Sequence, residues 1–446
     1  MKQLFTFLFI VWLSLPALAS KEGGWEKLFN GKDLTGWKQL NGKAKYEVEK
    51  GEIVGTTVFG TPNSFLVTEK NYADFILELD LLVADDMNSG IQIRSESKPD
   101  YNKGRVHGYQ VEVDPSARAW SGGIYDEARR GWLYTNELNP AAKAAFKNGQ
   151  WNHYRVECIG NSIRTWLNEV PVAWVIDDMT PTGFIALQVH QINNKEKEGE
   201  QIRWKNIRIK TKDIKPSPFN DIYVVNLIPN TLSEPEKQQG FHLLFDGKTT
   251  NGWESAKGGP IPGKDWVVKD GNLVVLSKEE EPSRAGDIVT KEKFSAFELK
   301  FEFNLSPGAN SGLKYATGNN GPSVGLEYQV LDDSLHADAK AGIGGNRTLA
   351  SLYDLLAAKK ESRFINQPGG WNLASVVLYP NNHVEHWLNA RKVLEYERGS
   401  EFYWSKVALS KFKEFKNFGM AKEAPILLQD HGDKVMFRSI KIREIK

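Results

Sequence analysis

Carboxylates, amides and imidazoles recur at two-residue spacing within short apolar runs, the spacing that puts side chains on one face of a β-strand. In Gly325-Leu326-Glu327-Tyr328-Gln329-Val330, Glu327 and Gln329 share a face, opposite Leu326, Tyr328 and Val330. Upstream, Gln110, Glu112 and Asp114 project together while Tyr109, Val111 and Val113 point the other way. Gln188 aligns with His190, Gln429 with His431, and Gln92 with Arg94, for which Lys314 is the nearest matching cation. Glu385, Trp387 and Asn389 align likewise. A carboxylate, a histidine, a cation and amides converging on one hollow would make an acid/base site. The plainer alternative is the solvated face of an antiparallel sheet, which also alternates apolar and polar residues. Convergent titratable groups favour a site for the carboxylates with their histidines.

The elements that must position these groups occur twice. Leu28-Phe29-Asn30-Gly31-Lys32 returns as Leu244-Phe245-Asp246-Gly247-Lys248, and Gly36-Trp37 as Gly252-Trp253. Asn88-Ser89-Gly90, Trp151-Asn152, Trp166-Leu167-Asn168 and Leu187-Gln188-Val189-His190 then find counterparts, in the same order, in Asn310-Ser311-Gly312, Trp371-Asn372, Trp387-Leu388-Asn389 and Leu428-Gln429-Asp430-His431. A period this long means two whole domains, because solenoid and propeller repeats are far shorter. The copies differ most around Asp332 to Ala350, where His336, Asp338, Lys340 and Arg347 lie, and between Arg391 and Ala424, a longer segment rich in Lys and aromatics. Loops of this kind commonly carry function.

Within each copy, short β-prone runs are separated by Gly, Asn and Asp turns, and helical periodicity is scarce. Ala141 to Lys147 and Leu352 to Lys360 are the best short helices. This pattern predicts an all-β protein of two antiparallel sandwiches in tandem, jelly rolls of the lectin and glucanase type. The expected divisions are 20–211 for the first sandwich, 212–237 for a proline-rich linker and 238–446 for the second. Apolar Ile222 to Val225 could pack the linker on a domain. Residues 1–19 read as a signal peptide: Lys2 precedes an apolar run from Leu4 to Leu15 and the small-residue ending Ala17-Leu18-Ala19. The expected destination is the periplasm or the exterior, without a membrane anchor.

The formal charge is +1, from 57 basic and 56 acidic side chains, so no global field gathers nucleic acid or an anionic membrane. The lone Cys158 cannot form an intramolecular disulfide and is expected to be a buried thiol. Fourteen tryptophans suit a β-rich core, and some could stack on sugars.

The motifs LFNGKDLTGWK, LFDGKTTNGW, GLEYQVLDD, SLYDLL, HVEHWLN and LLQDHGDKVMFRSIKIRE together resemble the 3-keto-disaccharide hydrolase domain family, over nearly all of both copies. GYQVEVD, GGIYDEARRGWL and FIALQVH resemble a distinct branch of it. The resemblance implies a concanavalin-like jelly roll, and cleavage of glycosides whose sugar already carries a C3 ketone made by a separate sugar 3-dehydrogenase. A C3 carbonyl acidifies the hydrogen on C2, so a base can form an enolate, the C1 substituent leaves and water adds. Such chemistry needs a base, an enolate stabiliser and an acid. On that reading Glu327 or His431 is the base of the second copy and Lys314 or Arg347 stabilises the enolate; Glu112, His190 and Arg94 take parallel parts in the first. Tyr125, Trp132 and Tyr353 would contact sugar, beside Gln110, Asp114, Gln188, Gln329, Asn389 and Gln429 on the strand faces, and His336 would be a lesser acid.

A retaining-glucanase mechanism fits poorly, since Glu112-Val113-Asp114 is followed by Ala117 where the last carboxylate should stand. A non-catalytic carbohydrate-binding protein is the stronger rival. No cofactor is expected: Asp332, Asp333, Asp338 and His336 offer metal ligands, but their spacing matches no recognised cage.

Overall fold

Alternating apolar side chains drive each copy into paired sheets that bury one face. A computed structural model describes residues 23–83, 87–261, 264–284 and 286–446. The expected signal peptide lies outside the described residues. In the first copy Phe75–Val83 lies between Asn152–Ile159 and Gln201–Lys210 in a nine-stranded sheet. A seven-stranded sheet faces it, with Ser89–Glu96 between His107–Val113 and Phe184–Val189. Leu77, Leu79 and Leu81 point inward to meet Ile91, Val111 and Leu187 in one buried core. Full burial of each such side chain contributes about 1.5–3 kcal/mol.

The second copy repeats the plan. Phe297–Leu305 lies between Asn372–Leu378 and Val435–Glu444 in an eight-stranded sheet. A five-stranded sheet closes the sandwich, ending in Leu427–Leu428, Asn310–Tyr315 and Leu326–Leu331. Leu299, Phe301 and Phe303 pack against Leu313, Tyr328 and Leu428 between the layers. The protein is all-β, two concanavalin-like jelly-roll sandwiches in tandem. Cys158 is a buried free thiol, its pKa pushed up to about 12 by burial.

Two local expectations need correction. Ala141 to Lys147 yields only a 3-10 turn at Pro140–Ala144. Leu352 to Lys360 forms no helix: Leu352 bridges to Tyr328, so the run is drawn along a sheet edge. The linker is more ordered than its prolines imply. Val225–Asn226 pairs in parallel with Val170–Ile176 of the first copy, and Glu234–Gln238 is a helix closed by a Ser233/Glu236 capping box. Glu236 then pairs with Lys441 of the second copy at 2.6 Å, both fully buried, and Lys300 Nζ donates to Val224 O at 3.0 Å. The copies also touch directly, through Thr135 Oγ1 donating to Ala390 O at 2.7 Å and Arg391 lying over the Trp120 ring. Among the described residues no helix is long and apolar enough to cross a membrane.

Candidate active site

The strands Asn310–Tyr315 and Leu326–Leu331 pair so that Lys314 stands opposite Glu327, and Gly312 opposite Gln329. Alternation sends Lys314, Glu327 and Gln329 out of the core into a pocket of about 220 Å³, which Tyr353, Gln429 and His431 also line. Glu327 is only 6% exposed. Its Oε2 lies 3.7 Å from Lys314 Nζ, and the Gln329 amide, oriented so that its nitrogen faces these acceptors, donates 3.0 Å bonds to Glu327 Oε1 and to Ser311 O. Burial pushes the Glu327 carboxyl above the ordinary range, while Lys314 and Lys411 pull it back. A glycine is required at 312, because a Cβ there would sit 2.4 Å from Glu327 Oε1.

Lys411 was invisible to strand periodicity, since it lies in the irregular insertion after the helix Glu401–Val407. Only the Lys-rich composition of that segment marked it. Its backbone N–H donates to Asp354 Oδ2 at 2.8 Å, and its ammonium lies 4.3 Å from the Tyr353 ring centroid. Burial lowers its pKa, against the pull of Glu327 and Asp354. Asn310 and Phe412 also line the pocket and were likewise missed.

Arg347 does not reach the cavity. Its guanidinium is held by Asp354 at 2.7 Å and Asp338 at 2.9 Å, and Asp338 accepts from Tyr353 OH at 2.8 Å. It braces Tyr353, which corrects its expected place at the enolate. His336 accepts from the Asp338 N–H at 3.1 Å, and its ring stands 5.8 Å from that of exposed His431. His336, His431 and Asp433 bring ligand atoms within 4.8 Å of one another and could hold a divalent ion. The aspartates considered from sequence are engaged elsewhere: Asp332 with Gly308 and Ser334, Asp333 with Lys360, and Asp338 with Arg347.

The first copy keeps the frame and changes the chemistry. Gly90 faces Glu112 and Gln92 faces Gln110, so Gln92 occupies the place of Lys314, Gln110 that of Glu327, and Glu112 that of Gln329. Two amides replace the ion pair. Gln110 Oε1 accepts from Gln92 at 2.6 Å and Gln188 at 3.1 Å, while Glu112 accepts from Asn88 at 2.7 Å and Gln110 at 2.9 Å. Burial raises the Glu112 carboxyl to about 7. His190 is half-buried with Nδ1 2.7 Å from Gln191 O, and burial lowers its pKa. Asp114 is tied to Arg118 at 3.0 Å, and Trp132 packs between Tyr125 and Trp120, at 5.2 and 4.7 Å between centroids.

Two expected site residues lie elsewhere. Arg94 has φ +44° beside a register shift, so it breaks the alternation that would have aligned it with Gln92. Its buried guanidinium donates to Ala73 O, Gly160 O and Asp74. Asn389 ends a strand of the opposite sheet with φ +46°, where Nδ2 donates to Phe364 O and Asn372 Oδ1. Asn168 makes the equivalent bonds in the first copy, so its recurrence comes from turn geometry.

Residues 24–210 and 240–443 each match the 3-keto-alpha-glucoside-1,2-lyase-like domain. The chain belongs to that family. A Bacteroides thetaiotaomicron protein named 3-keto-disaccharide hydrolase is 34% identical over 241 residues, which span 48% of this chain and 81% of that protein. A crystal structure from Parabacteroides distasonis, assigned provisionally as a glycosyl hydrolase, is 30% identical with TM-score 0.43, over 49% of this chain and all of that one. A carbohydrate binding module from Bacillus subtilis aligns at 18% identity with TM-score 0.29, over 39% of this chain and 95% of that module.

Proposed function

We propose that this protein is exported and that its second copy cleaves the glycosidic bond of a 3-keto sugar by elimination followed by water addition. Glu327 takes the C2 proton and the electron pair moves onto the C3 oxygen as an enolate. Collapse of the enolate expels the C1 oxygen, which gains a proton at the pocket mouth, where His431 stands. Water then adds at C1 as C2 is reprotonated. Lys314 and Lys411 supply positive charge for the enolate, in a pocket where burial strengthens such interactions. A sugar 3-dehydrogenase would supply the ketone, and residues 1–19 fit delivery to the periplasm or beyond.

The Lys314–Glu327 pair carries this reading, because a carboxyl raised by burial and held beside a cation is the arrangement a general base needs. The reading favours the second copy because amides, Gln92 and Gln110, take the places of Lys314 and Glu327 in the first, leaving Glu112 there without the paired lysine. The first copy suits a supporting or sugar-binding part, the surviving form of the binding-protein alternative.

The test is turnover of a 3-keto disaccharide in heavy water. Deuterium should appear at C2 of the product; Glu327→Gln should abolish turnover while Glu112→Gln leaves it. Unlabelled product would argue for direct hydrolysis, and loss with Glu112→Gln alone would move the reaction to the first copy.

A further inference from the structure

A second, larger cavity is unrelated to Glu327. A cleft of about 1090 Å³ opens between the outer face of the second copy's eight-stranded sheet, the linker around Gln238–Gly240 and the first copy's Glu137–Lys143 segment. Its volume exceeds that of the usual small-molecule site, about 300–1,000 Å³. Glu298, Val377 and Glu385 form a row across its floor, and Tyr379 and Trp387 line its side.

The duplication shows what this row can hold. In the first copy the row in the same register contains Glu157, Arg164 and Trp174. There an extended linker stretch crosses it: Ser217 N–H and hydroxyl donate to the Glu157 carboxylate, Arg164 donates to Ser217 O and Pro218 O, and Phe219 packs 5.9 Å from Trp174. A hydroxyl on a carboxylate and a ring on an indole are contacts a sugar chain also makes. In the second copy the row lies at the floor of the cleft, with Tyr223 of the linker beside Glu298 in its lining.

We propose that this cleft binds a neutral, unoxidised oligosaccharide, at a site distinct from the pocket of Glu327. Acidic and basic side chains are matched around the cleft, Glu137, Glu298, Glu385 and Glu444 against Lys143, Lys392, Arg443 and Lys446, with Arg443 on Glu298 at 2.6 Å and Lys392 on Glu385 at 3.1 Å, so its lining carries no excess positive charge to select an anionic ligand. The Glu385 carboxylate, which takes one bond from Trp387 and one from Lys392, still has lone pairs for hydroxyl donors. Trp387 Nε1 donates to Glu385 Oε2 at 2.9 Å, which fixes the indole, and its half-exposed ring offers an apolar surface to sugar C–H groups. A peptide would gain little, because the floor is a sheet face with its main-chain groups already paired, not an edge open to strand addition.

Calorimetric titration of the full chain with maltohexaose, cellohexaose and laminarihexaose tests this. At least one should bind, with affinity falling tenfold or more in Trp387→Ala and in Tyr379→Ala and unchanged in Glu327→Gln. Near-ultraviolet circular dichroism checks that the variants keep their packing, and either variant alone suffices if the other misfolds. No binding by any hexaose at millimolar concentration overturns the proposal. So does binding that survives in a folded Trp387→Ala or Tyr379→Ala variant but is lost in Glu327→Gln, which would assign the ligand to the Glu327 pocket. Because the probes carry no ketone, a failed elimination mechanism leaves this test intact.

Discussion

Glu112→Gln should remove a defined piece of the pH dependence of stability. In the folded chain the Glu112 carboxyl titrates at about 7 against an ordinary 4.5, raised chiefly by burial. Between those values the native state holds a proton that the unfolded chain has released. Stability therefore falls as pH rises through that window and levels off above 7. At about 1.4 kcal/mol for each tenfold change in proton affinity, the full difference is about 3 kcal/mol. Glutamine does not ionise, so this component vanishes whatever constant offset the new amide introduces at its bond with Gln110. Urea unfolding of the full chain and the variant at pH 4.5 and pH 8 measures it, read on the transition that includes the first copy. The wild type should lose about 3 kcal/mol more than the variant between the two conditions. Equal losses would mean that Glu112 is ionised in the fold at neutral pH, and the contrast drawn between the copies would lose its electrostatic basis.

Other perturbations separate positioning from stability. Gly312→Ala places a methyl 2.4 Å from Glu327 Oε1 and should remove most turnover at a cost of about 1–3 kcal/mol, whereas Gly90→Ala, whose Cβ meets Gln110 at 2.3 Å, should cost similar stability with turnover unchanged. Lys441→Met leaves the buried Glu236 Oε1 without its cation and should destabilise by about 3–5 kcal/mol in denaturant titration.

How far the site could be read in advance depended on where strand periodicity holds. Glu327, Gln329 and Lys314 lie on regular paired strands, and the two-residue rule places them together. Arg94 sits where an extra residue and a positive φ turn the chain, and no parity argument survives a bulge. Lys411 comes from an irregular loop whose path depends on tertiary contacts such as its N–H bond to Asp354. The jelly rolls were legible because duplication, turn residues and alternation agree. The linker helix had a local signature, Ser233 followed three residues later by Glu236, which the surrounding prolines obscured. Asn389 shows the opposite hazard: a repeated residue type beside aligned polar neighbours was serving a turn.

The two copies amount to a natural comparison of one frame with and without charge. If the Lys314–Glu327 pair is kept for chemistry, it should be neutral or costly for folding, because the desolvation of both ions offsets their attraction. The first copy demonstrates that amides fit this frame, with Gln92 bonded to Gln110 at 2.6 Å. Lys314→Gln/Glu327→Gln should therefore leave stability unchanged or raise it, while turnover falls by about 10²–10⁴ as the base disappears. Changing Glu327 alone leaves Lys314 without its carboxylate, so the double variant should be the more stable of the two. Denaturant titration beside a 3-keto disaccharide assay reads both quantities on one sample. A double variant that unfolds more readily than either single change would show that the pair holds the sheet together, and one that keeps its turnover would place the base outside this pocket.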